Sequence, residues 1–206
     1  RKNMAIVPGK PVAAFDVTPR VICAGKQVQF TNQSSFASEW EWTYQDATGS
    51  PNITIKGGNP NVFFGSPGRK TIKLKVKGLG GSDSLTKYEH IFVYAKPSSY
   101  FEILPLNKEV VAPEEDATFI EIPPCDDSTG CTYRWDFGDG TGDTLPDNQP
   151  VRHRYLSPGK YRISLLVTNS LGCTSVLTRD SIRAVQARDI SVPNAFIPLN
   201  TPGGCP

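Results

Sequence analysis

The chain has 206 residues, 38% of them hydrophobic and 20% charged, with a formal net charge of +2. This composition is typical of a folded globular protein and excludes a disordered one. The 18 glycines, 18 prolines and single methionine exclude a helical bundle and favour short strands joined by turns. No apolar run is long enough for a transmembrane helix. Because the chain starts at Arg1 without an initiator methionine, we expect it to be processed or excerpted.

The charge is unevenly distributed along the chain. Residues 1–95 carry 12 Lys/Arg and 6 Asp/Glu, whereas residues 96–206 carry 10 and 14. This asymmetry is too weak for a nucleic-acid-binding stripe, so no nucleic-acid partner is expected. The basic run of Lys70, Lys73, Lys75 and Lys77 is interpreted as the solvent face of a strand.

The five cysteines favour disulfides in an oxidising compartment. They stand at positions 23, 125, 131, 173 and 205 without the paired spacing of a zinc site. Neither His90 nor His153 lies in a motif typical of a catalytic Cys–His pair. The odd count leaves one thiol over, for which Cys205 in the Gly/Pro-rich tail is the best candidate.

A segment of the chain repeats after about 90 residues. Trp42 corresponds to Trp135, and Ser66-Pro67-Gly68 corresponds to Ser157-Pro158-Gly159. The repeat predicts one domain over residues 1–95 and a second over residues 96–186. The two would be joined near residues 95–99.

After each Pro-Gly pair, apolar and polar residues alternate as in a half-buried antiparallel strand. In the first repeat Ile72, Leu74 and Val76 face inward, while in the second Leu166 breaks the alternation. Further strands are predicted at 12–17, 27–32, 38–44, 89–94, 100–103, 117–122, 132–137 and 175–185. Hairpins are expected at residues 78–81 and 169–172. About seven strands per repeat predict an all-β chain of two immunoglobulin-like sandwiches in tandem.

The second repeat resembles the PKD (polycystic-kidney-disease) domain over residues 97–186. The matching positions are Trp135, Asp136, Phe137, Gly138, Asp139, Gly140, His153, Tyr155, Pro158, Gly159, Tyr161, Val167, Thr168 and Asn169. The first repeat looks like a diverged copy, in which Trp42 matches the core tryptophan and Phe64 matches Tyr155. Val62 stands in place of His153 there, and residues 43–46 depart from the Asp-Phe-Gly-Asp sequence.

The residues of this motif are explained by the fold. Trp135 and Phe137 are expected to fill the space between the sheets. Gly138 and Gly140 give the following turn its backbone freedom. The short carboxylates of Asp136 and Asp139 are expected to accept hydrogen bonds from the backbone N–H groups of this turn. His153 and Tyr155 are expected to hydrogen-bond across to this turn.

Two chemical alternatives compete with that structural role. Asp136, Asp139 and His153 would be the residues of a catalytic site, but their part in the fold already accounts for them. Asp139, Asp143 and Asp147 would be the residues of a calcium site, although their spacing lacks the terminal Glu of an EF-hand loop. We therefore expect no catalytic residue and no cofactor, and keep calcium as the less favoured hypothesis.

Cys23 and Cys173 look like features of PKD repeats in surface proteins of gliding bacteria with type IX secretion. The start of the second strand and the last hairpin lie at opposite ends of a sandwich. In a head-to-tail tandem these two cysteines would meet at the junction. We therefore hypothesise an interdomain Cys23–Cys173 disulfide and a local Cys125–Cys131 disulfide. Alternatively, Cys23 and Cys173 are small buried apolar residues.

Residues 190–198, with the sequence Ile-Ser-Val-Pro-Asn-Ala-Phe-Ile-Pro, resemble the opening of the type B (gliding-motility-associated) sorting domain of type IX secretion cargo. The Asn-Gly-Asp-Gly stretch usual in that family does not follow. Residues 187–206 are interpreted either as the start of a sorting domain or as a Pro-rich linker.

The resemblance implies a non-enzymatic interaction or spacer module of a secreted or surface-attached bacterial protein, with an adhesin-like or gliding-related role. Its expected partners are a protein or glycan at the cell surface, with secretion or outer-membrane machinery as a further option. The expected location is extracellular or on the outer-membrane surface, reached through the periplasm.

Two alternatives are an accessory polymer-binding region of a secreted protease or glycan hydrolase and a structural subunit of a secretion or motility machine. The accessory role would need exposed aromatics, for which Trp40, Tyr44 and Tyr133 are candidates, although core packing is the expected role of each. An edge strand could also accept a partner strand, although the lysine row is expected to protect that edge.

Overall fold

The computed structural model describes residues 8–122, 125, 130–179 and 181–187. These residues form strands and no helix, and the predicted all-β, immunoglobulin-like sandwich fold is confirmed. The strands are β1 (Phe15–Thr18), β2 (Val21–Cys23), β3 (Lys26–Asn32), β4 (Glu39–Tyr44), β5 (Ile53–Lys56), β6 (Asn61–Phe64), β7 (Gly68–Gly78), β8 (Gly81–Tyr94), β9 (Phe101–Leu104), β10 (Glu109–Ala112), β11 (Asp116–Glu121), β12 (Cys131–Asp136), β13 (Gly142–Leu145), β14 (Val151–Arg154), β15 (Gly159–Tyr161), β16 (Ser164–Asn169), β17 (Thr174–Thr178) and β18 (Ile182–Gln186).

The first sandwich packs a three-stranded sheet, β1-β3-β6, against a five-stranded sheet, β2-β8-β7-β4-β5. The second packs a four-stranded sheet, β13-β12-β16-β17, against the sheets β14-β11-β9 and β10-β18-β15. Most neighbouring strands are antiparallel, but β2 runs parallel to β8, and β10 runs parallel to β18. Each sandwich therefore holds one strand near its beginning parallel to its last strand.

Each sandwich has its own hydrophobic core, centred on one tryptophan. Trp42 is fully buried in the first, between Phe15 and Phe30 at ring-centroid distances of 5.2 and 5.1 Å. Trp135 is buried in the second, where Phe101 lies at 5.1 Å in an edge-on contact. Such aromatic pairs stabilise a core by about 0.5–1.5 kcal/mol beyond the area that they bury.

Both predicted hairpins are present. Gly78 pairs with Gly81 between β7 and β8, and Thr168 pairs with Thr174 between β16 and β17. The single strand predicted at 175–185 is wrong, because the chain leaves the four-stranded sheet after β17 and enters another sheet as β18. The strand predicted at 89–94 is only the end of β8, which starts at Gly81.

The lysine run also differs from the prediction. Lys73, Lys75 and Lys77 are exposed, but Lys70 shares the inward face with Ile72 and is only 4% exposed. Strand β7 lies between β4 and β8, so its lysines do not protect a sheet edge. They belong to the outer face of the five-stranded sheet.

The described residues contain two disulfides. Cys23 ends β2 in the first sandwich and is bonded to Cys173, just before β17 in the second, with the Cα atoms 5.5 Å apart. Cys125 is bonded to Cys131 at a Cα–Cα distance of 6.3 Å. Cys205 and the sorting-domain resemblance at 190–198 lie outside the described residues.

Candidate functional site

The PKD-like motif gathers at one end of the second sandwich, where β12 leaves the core. Trp135 and Phe137 are both buried, and the ring of Phe137 lies 5.3 Å from that of Phe119 on the facing sheet. Gly138 then turns the chain with a φ of 80°, and a Cβ there would lie 2.4 Å from the carbonyl oxygen of Arg162. Only glycine fits this position without moving the backbone.

The two motif carboxylates hold this turn. Asp136 accepts a hydrogen bond from the Gly138 amide at 2.9 Å. Asp139 accepts from the Thr141 amide at 2.9 Å and from the Thr141 hydroxyl at 2.6 Å. Burial raises the pKa of Asp139, but the bonds from Thr141 and His153 outweigh burial and leave the pKa below its usual value.

His153 and Tyr155 reach the same turn from β14 and the residue after it. His153 Nε2 lies 2.7 Å from Asp139 Oδ2, and its ring stacks on Phe137 at 4.1 Å. The buried Tyr155 hydroxyl donates to the Phe137 carbonyl at 3.1 Å, and burial raises its pKa. Tyr161 stacks on Tyr155 at 4.3 Å. These contacts are directed at the protein itself rather than at a cavity.

Pro158 and Gly159 form the corner that leads into β15. Gly159 pairs with Ala184 of β18, and the Tyr161 hydroxyl donates to the Ser157 carbonyl at 2.8 Å. The corner thereby places β15 at the edge of the sheet, next to β18.

The acidic loop after the motif bonds to its own backbone. Asp143 accepts a hydrogen bond from the Thr144 amide at 2.7 Å, and Asp147 accepts from the Gln149 amide at 3.4 Å. Within the described part of the chain, no group of three His, Cys, Asp or Glu side chains could hold a metal ion.

The first sandwich closes the corresponding turn with different residues. Asp46 accepts from the amides of Gly65 and Ser66 at 3.0 and 3.2 Å. The buried Lys70 ammonium donates to the carbonyls of Asp46 and Pro67, and its desolvation lowers its pKa. This role of Lys70 was not predicted, although its inward parity with Ile72 on the strand could have indicated it.

The aromatics proposed for polymer binding are not exposed. Tyr44 and Tyr133 are buried, and Trp40 is half-buried against the first core. The three side chains therefore pack against the cores, as expected for them, and form no exposed aromatic platform. Their positions are inward-facing on β4 and β12, which alternation along both strands requires.

A candidate interaction surface lies instead on the outer face of the four-stranded sheet. Arg134, Leu166 and Val176 are directly opposite one another on β12, β16 and β17, and Val176 is 63% exposed. A groove of about 590 Å³ runs over this face and is also lined by Asp136 and Thr144. The break in alternation at Leu166 therefore places an apolar side chain on the outside.

The equivalent row in the first sandwich is polar. Glu41, Lys75 and Ser84 are aligned across β4, β7 and β8, at positions matching Arg134, Leu166 and Val176. The two copies thus share a fold but present different outer faces. We call the Arg134–Leu166–Val176 row the apolar row of the second sandwich.

Comparison with known proteins identifies part of the chain. Solved structures with similar features include a 1.5-MDa bacterial ice-binding adhesin, with 13% identity, a TM-score of 0.38, and coverage of 86% of this chain and 66% of that chain. Fibronectin(III)-like modules of Clostridium thermocellum CbhA have 17% identity and a TM-score of 0.35, with coverage of 85% and 94%. At these scores the likeness identifies no ligand or activity.

A search of curated proteins gave no match to this chain. Within the described residues no helix is long and apolar enough to cross a membrane. The model of one family, the PKD domain, matches residues 103–179. These residues contain the Trp135 strand, the Asp139–His153 contact and the hairpin that precedes Cys173. The second sandwich of this chain therefore contains a PKD domain.

Proposed function

We propose that the chain is a non-catalytic extracellular module that binds a protein or glycan at a cell surface and spaces it from the rest of the protein. The observation that carries this proposal is the joining of two sandwiches, one with a PKD match, by a disulfide. Disulfides persist in oxidising environments outside the cytosol. The polar motif residues are engaged in holding a turn, which leaves the outer sheet faces for recognition.

The apolar row is the proposed contact surface. Leu166 and Val176 give it an apolar centre, while Arg134 and Asp136 supply polar groups at its border. An apolar centre with a polar rim is typical of protein interfaces. We propose a protein partner for this face, and glycan binding is the competing outcome.

This proposal is tested by binding of the labelled chain to intact bacterial cells, measured by flow cytometry. We expect saturable binding that falls at least about tenfold in affinity in Leu166→Ser/Val176→Ser, since hot-spot residues often cost 2 kcal/mol or more. Lys75→Ser, in the equivalent row of the first sandwich, is the matched control and should bind normally. Equal binding by both variants would contradict the assignment of the surface.

The accessory-enzyme alternative predicts another result. In that case the chain would sediment with an insoluble polysaccharide and would bind protease-treated and untreated cells equally well. Loss of binding after protease treatment of the cells favours the protein partner.

For export, we propose the type IX route on the basis of the sequence resemblance at residues 190–198. A reporter fused to residues 187–206 should reach the medium of a gliding bacterium and stay inside a mutant without type IX secretion. Retention in both strains would overturn this proposal and favour a linker. Association with secretion or motility machinery would be tested by crosslinking on the same cells.

A further inference from the structure

The Cys23–Cys173 disulfide changes the covalent path by which the tandem carries tension. Cys23 lies near the start of the first sandwich, and Cys173 lies near the end of the second. The bond between them closes a loop of 150 residues. Strands β3 to β16, and most side chains of both hydrophobic cores, lie inside this loop.

Tension applied to the two ends of the chain would follow the shortest covalent route. It would enter through the residues before Cys23, cross the disulfide, and leave through the residues after Cys173. The residues between the two cysteines form a closed loop parallel to that bond, so the bond limits how far they can be stretched. We propose that the Cys23–Cys173 disulfide makes the tandem a load-bearing link that shields the segment between the two cysteines from extension.

The surroundings of Cys173 suit this role. Its side chain is buried, and its amide donates to Asn169 Oδ1 at 2.8 Å. The Asn169 amide in turn donates to the Cys173 carbonyl at 3.0 Å. The Asn169 side-chain amide also lies 3.5 Å from the carbonyl oxygen of Ala95, at the junction of the two sandwiches. The hairpin that anchors the disulfide is thus held by its own hydrogen bonds.

Among the residues that the structure describes, four strands remain in the tension path. They are β1 and β2 before the disulfide, and β17 and β18 after it. Strand β1 is paired with β3, β2 with β8, β17 with β16, and β18 with both β10 and β15. Tension can therefore peel these terminal strands from their neighbours, but it cannot extend the segment between the cysteines.

The length that the chain releases under tension distinguishes a chain with the Cys23–Cys173 disulfide from a chain without it. With 22 residues before Cys23 and 33 after Cys173, the oxidised chain can release at most about 200 Å, at roughly 3.3–3.6 Å per residue. The loop of 150 residues holds back about 500 Å more. A chain without this disulfide would release about 700 Å in all.

Single-molecule force spectroscopy on the full chain, held by handles at its two ends, tests the proposal. We expect the oxidised wild type to stop near 200 Å at forces that extend Cys23→Ser/Cys173→Ser to about 700 Å. Cys125→Ser/Cys131→Ser is the matched control, because its disulfide lies inside the loop and its removal should leave the limit unchanged.

Extension of the oxidised wild type well beyond 200 Å, in unfolding steps that each release about 90 residues, would overturn the proposal. So would equal extension of the wild type and Cys23→Ser/Cys173→Ser. The decisive value is measured on the wild type, so it stands even if the double variant folds poorly. The measured extension does not depend on what the module binds. A failure of this proposal can therefore be distinguished from a failure of the proposed function.

Discussion

At the residue scale, Asp139 shows how a motif that resembles a catalytic cluster serves the fold. Its carboxylate is bonded to Thr141 and to His153, which itself stacks on Phe137. A proton acceptor and a histidine at 2.7 Å would suit general acid–base chemistry if they faced a cleft. Here they tie two segments of one sandwich together, and the predicted effect of changing them is on stability.

We expect Asp139→Ala to lower the free energy of unfolding by about 1–3 kcal/mol at neutral pH, because it removes the carboxylate that is bonded to Thr141 and His153. The folded-state pKa of Asp139 lies below the ordinary value of 3.8, so its contribution is present above that value. The difference between wild type and variant should therefore shrink as the pH falls below 3.8. Urea unfolding across this pH range measures it, and a constant difference would contradict the account.

For Glu121 we predict that the free energy of unfolding depends on pH with the opposite sign. The side chain is buried, and no described group makes a regular hydrogen bond to its oxygens. Burial raises its pKa from 4.5 to about 7, and the nearby Tyr133 hydroxyl and Cys125 amide offset only part of this effect. A raised carboxyl pKa means that the folded state favours the protonated form.

The free energy of unfolding should therefore decrease as the pH rises from 4.5 towards 7, and level off above that. Glu121→Gln should remove this decrease, since the amide stays neutral across the range. Thermal unfolding at several pH values checks the prediction. A wild type and variant with parallel pH profiles would show that Glu121 is not the responsible group.

At the scale of the element, β16 illustrates why sequence alternation predicts one face of a strand well. Leu165 and Leu166 are adjacent, yet Leu165 is fully buried and Leu166 lies on the outer face opposite Val176. We expect Leu165→Ala to cost about 2–5 kcal/mol of unfolding free energy, as core truncations do. Leu166→Ala should stay within about 0.5 kcal/mol of wild type, as surface changes do. Chemical denaturation of both variants checks this, and similar losses would contradict the assigned faces.

The repeat and the strand pattern predicted the fold because each depends on local sequence. Trp42 and Trp135 marked the two cores, and turn segments containing glycine marked both hairpins. The crossing of the chain between β17 and β18 was missed because no Gly or Pro separates the two strands in the sequence.

The site was predicted less well than the fold, because it depends on long-range placement. Lys70 was assigned to solvent because of its lysine neighbours, yet its ammonium lies inside and donates to two carbonyls. The outer apolar row depends on three strands coming together in one register, which a single sequence does not specify. Sheet edges likewise became known only from the strand order.

At the scale of the whole molecule, the disulfide between the sandwiches is predicted to fix their relative orientation. Small-angle X-ray scattering should show one narrow distribution of interdomain distances in the oxidised chain. Cys23→Ser/Cys173→Ser should broaden this distribution while the circular dichroism of the strands is retained. An unchanged distribution would mean that noncovalent contacts at the junction are sufficient.

We propose that this chain is an oxidised, extracellular tandem locked by the Cys23–Cys173 disulfide. Non-reducing peptide mapping by mass spectrometry, on protein isolated from its natural source, tests it most directly. We expect one crosslinked peptide pair containing Cys23 and Cys173, and another containing Cys125 and Cys131. A peptide linking Cys173 to Cys125 or Cys131, or free thiols at Cys23 and Cys173, would contradict it.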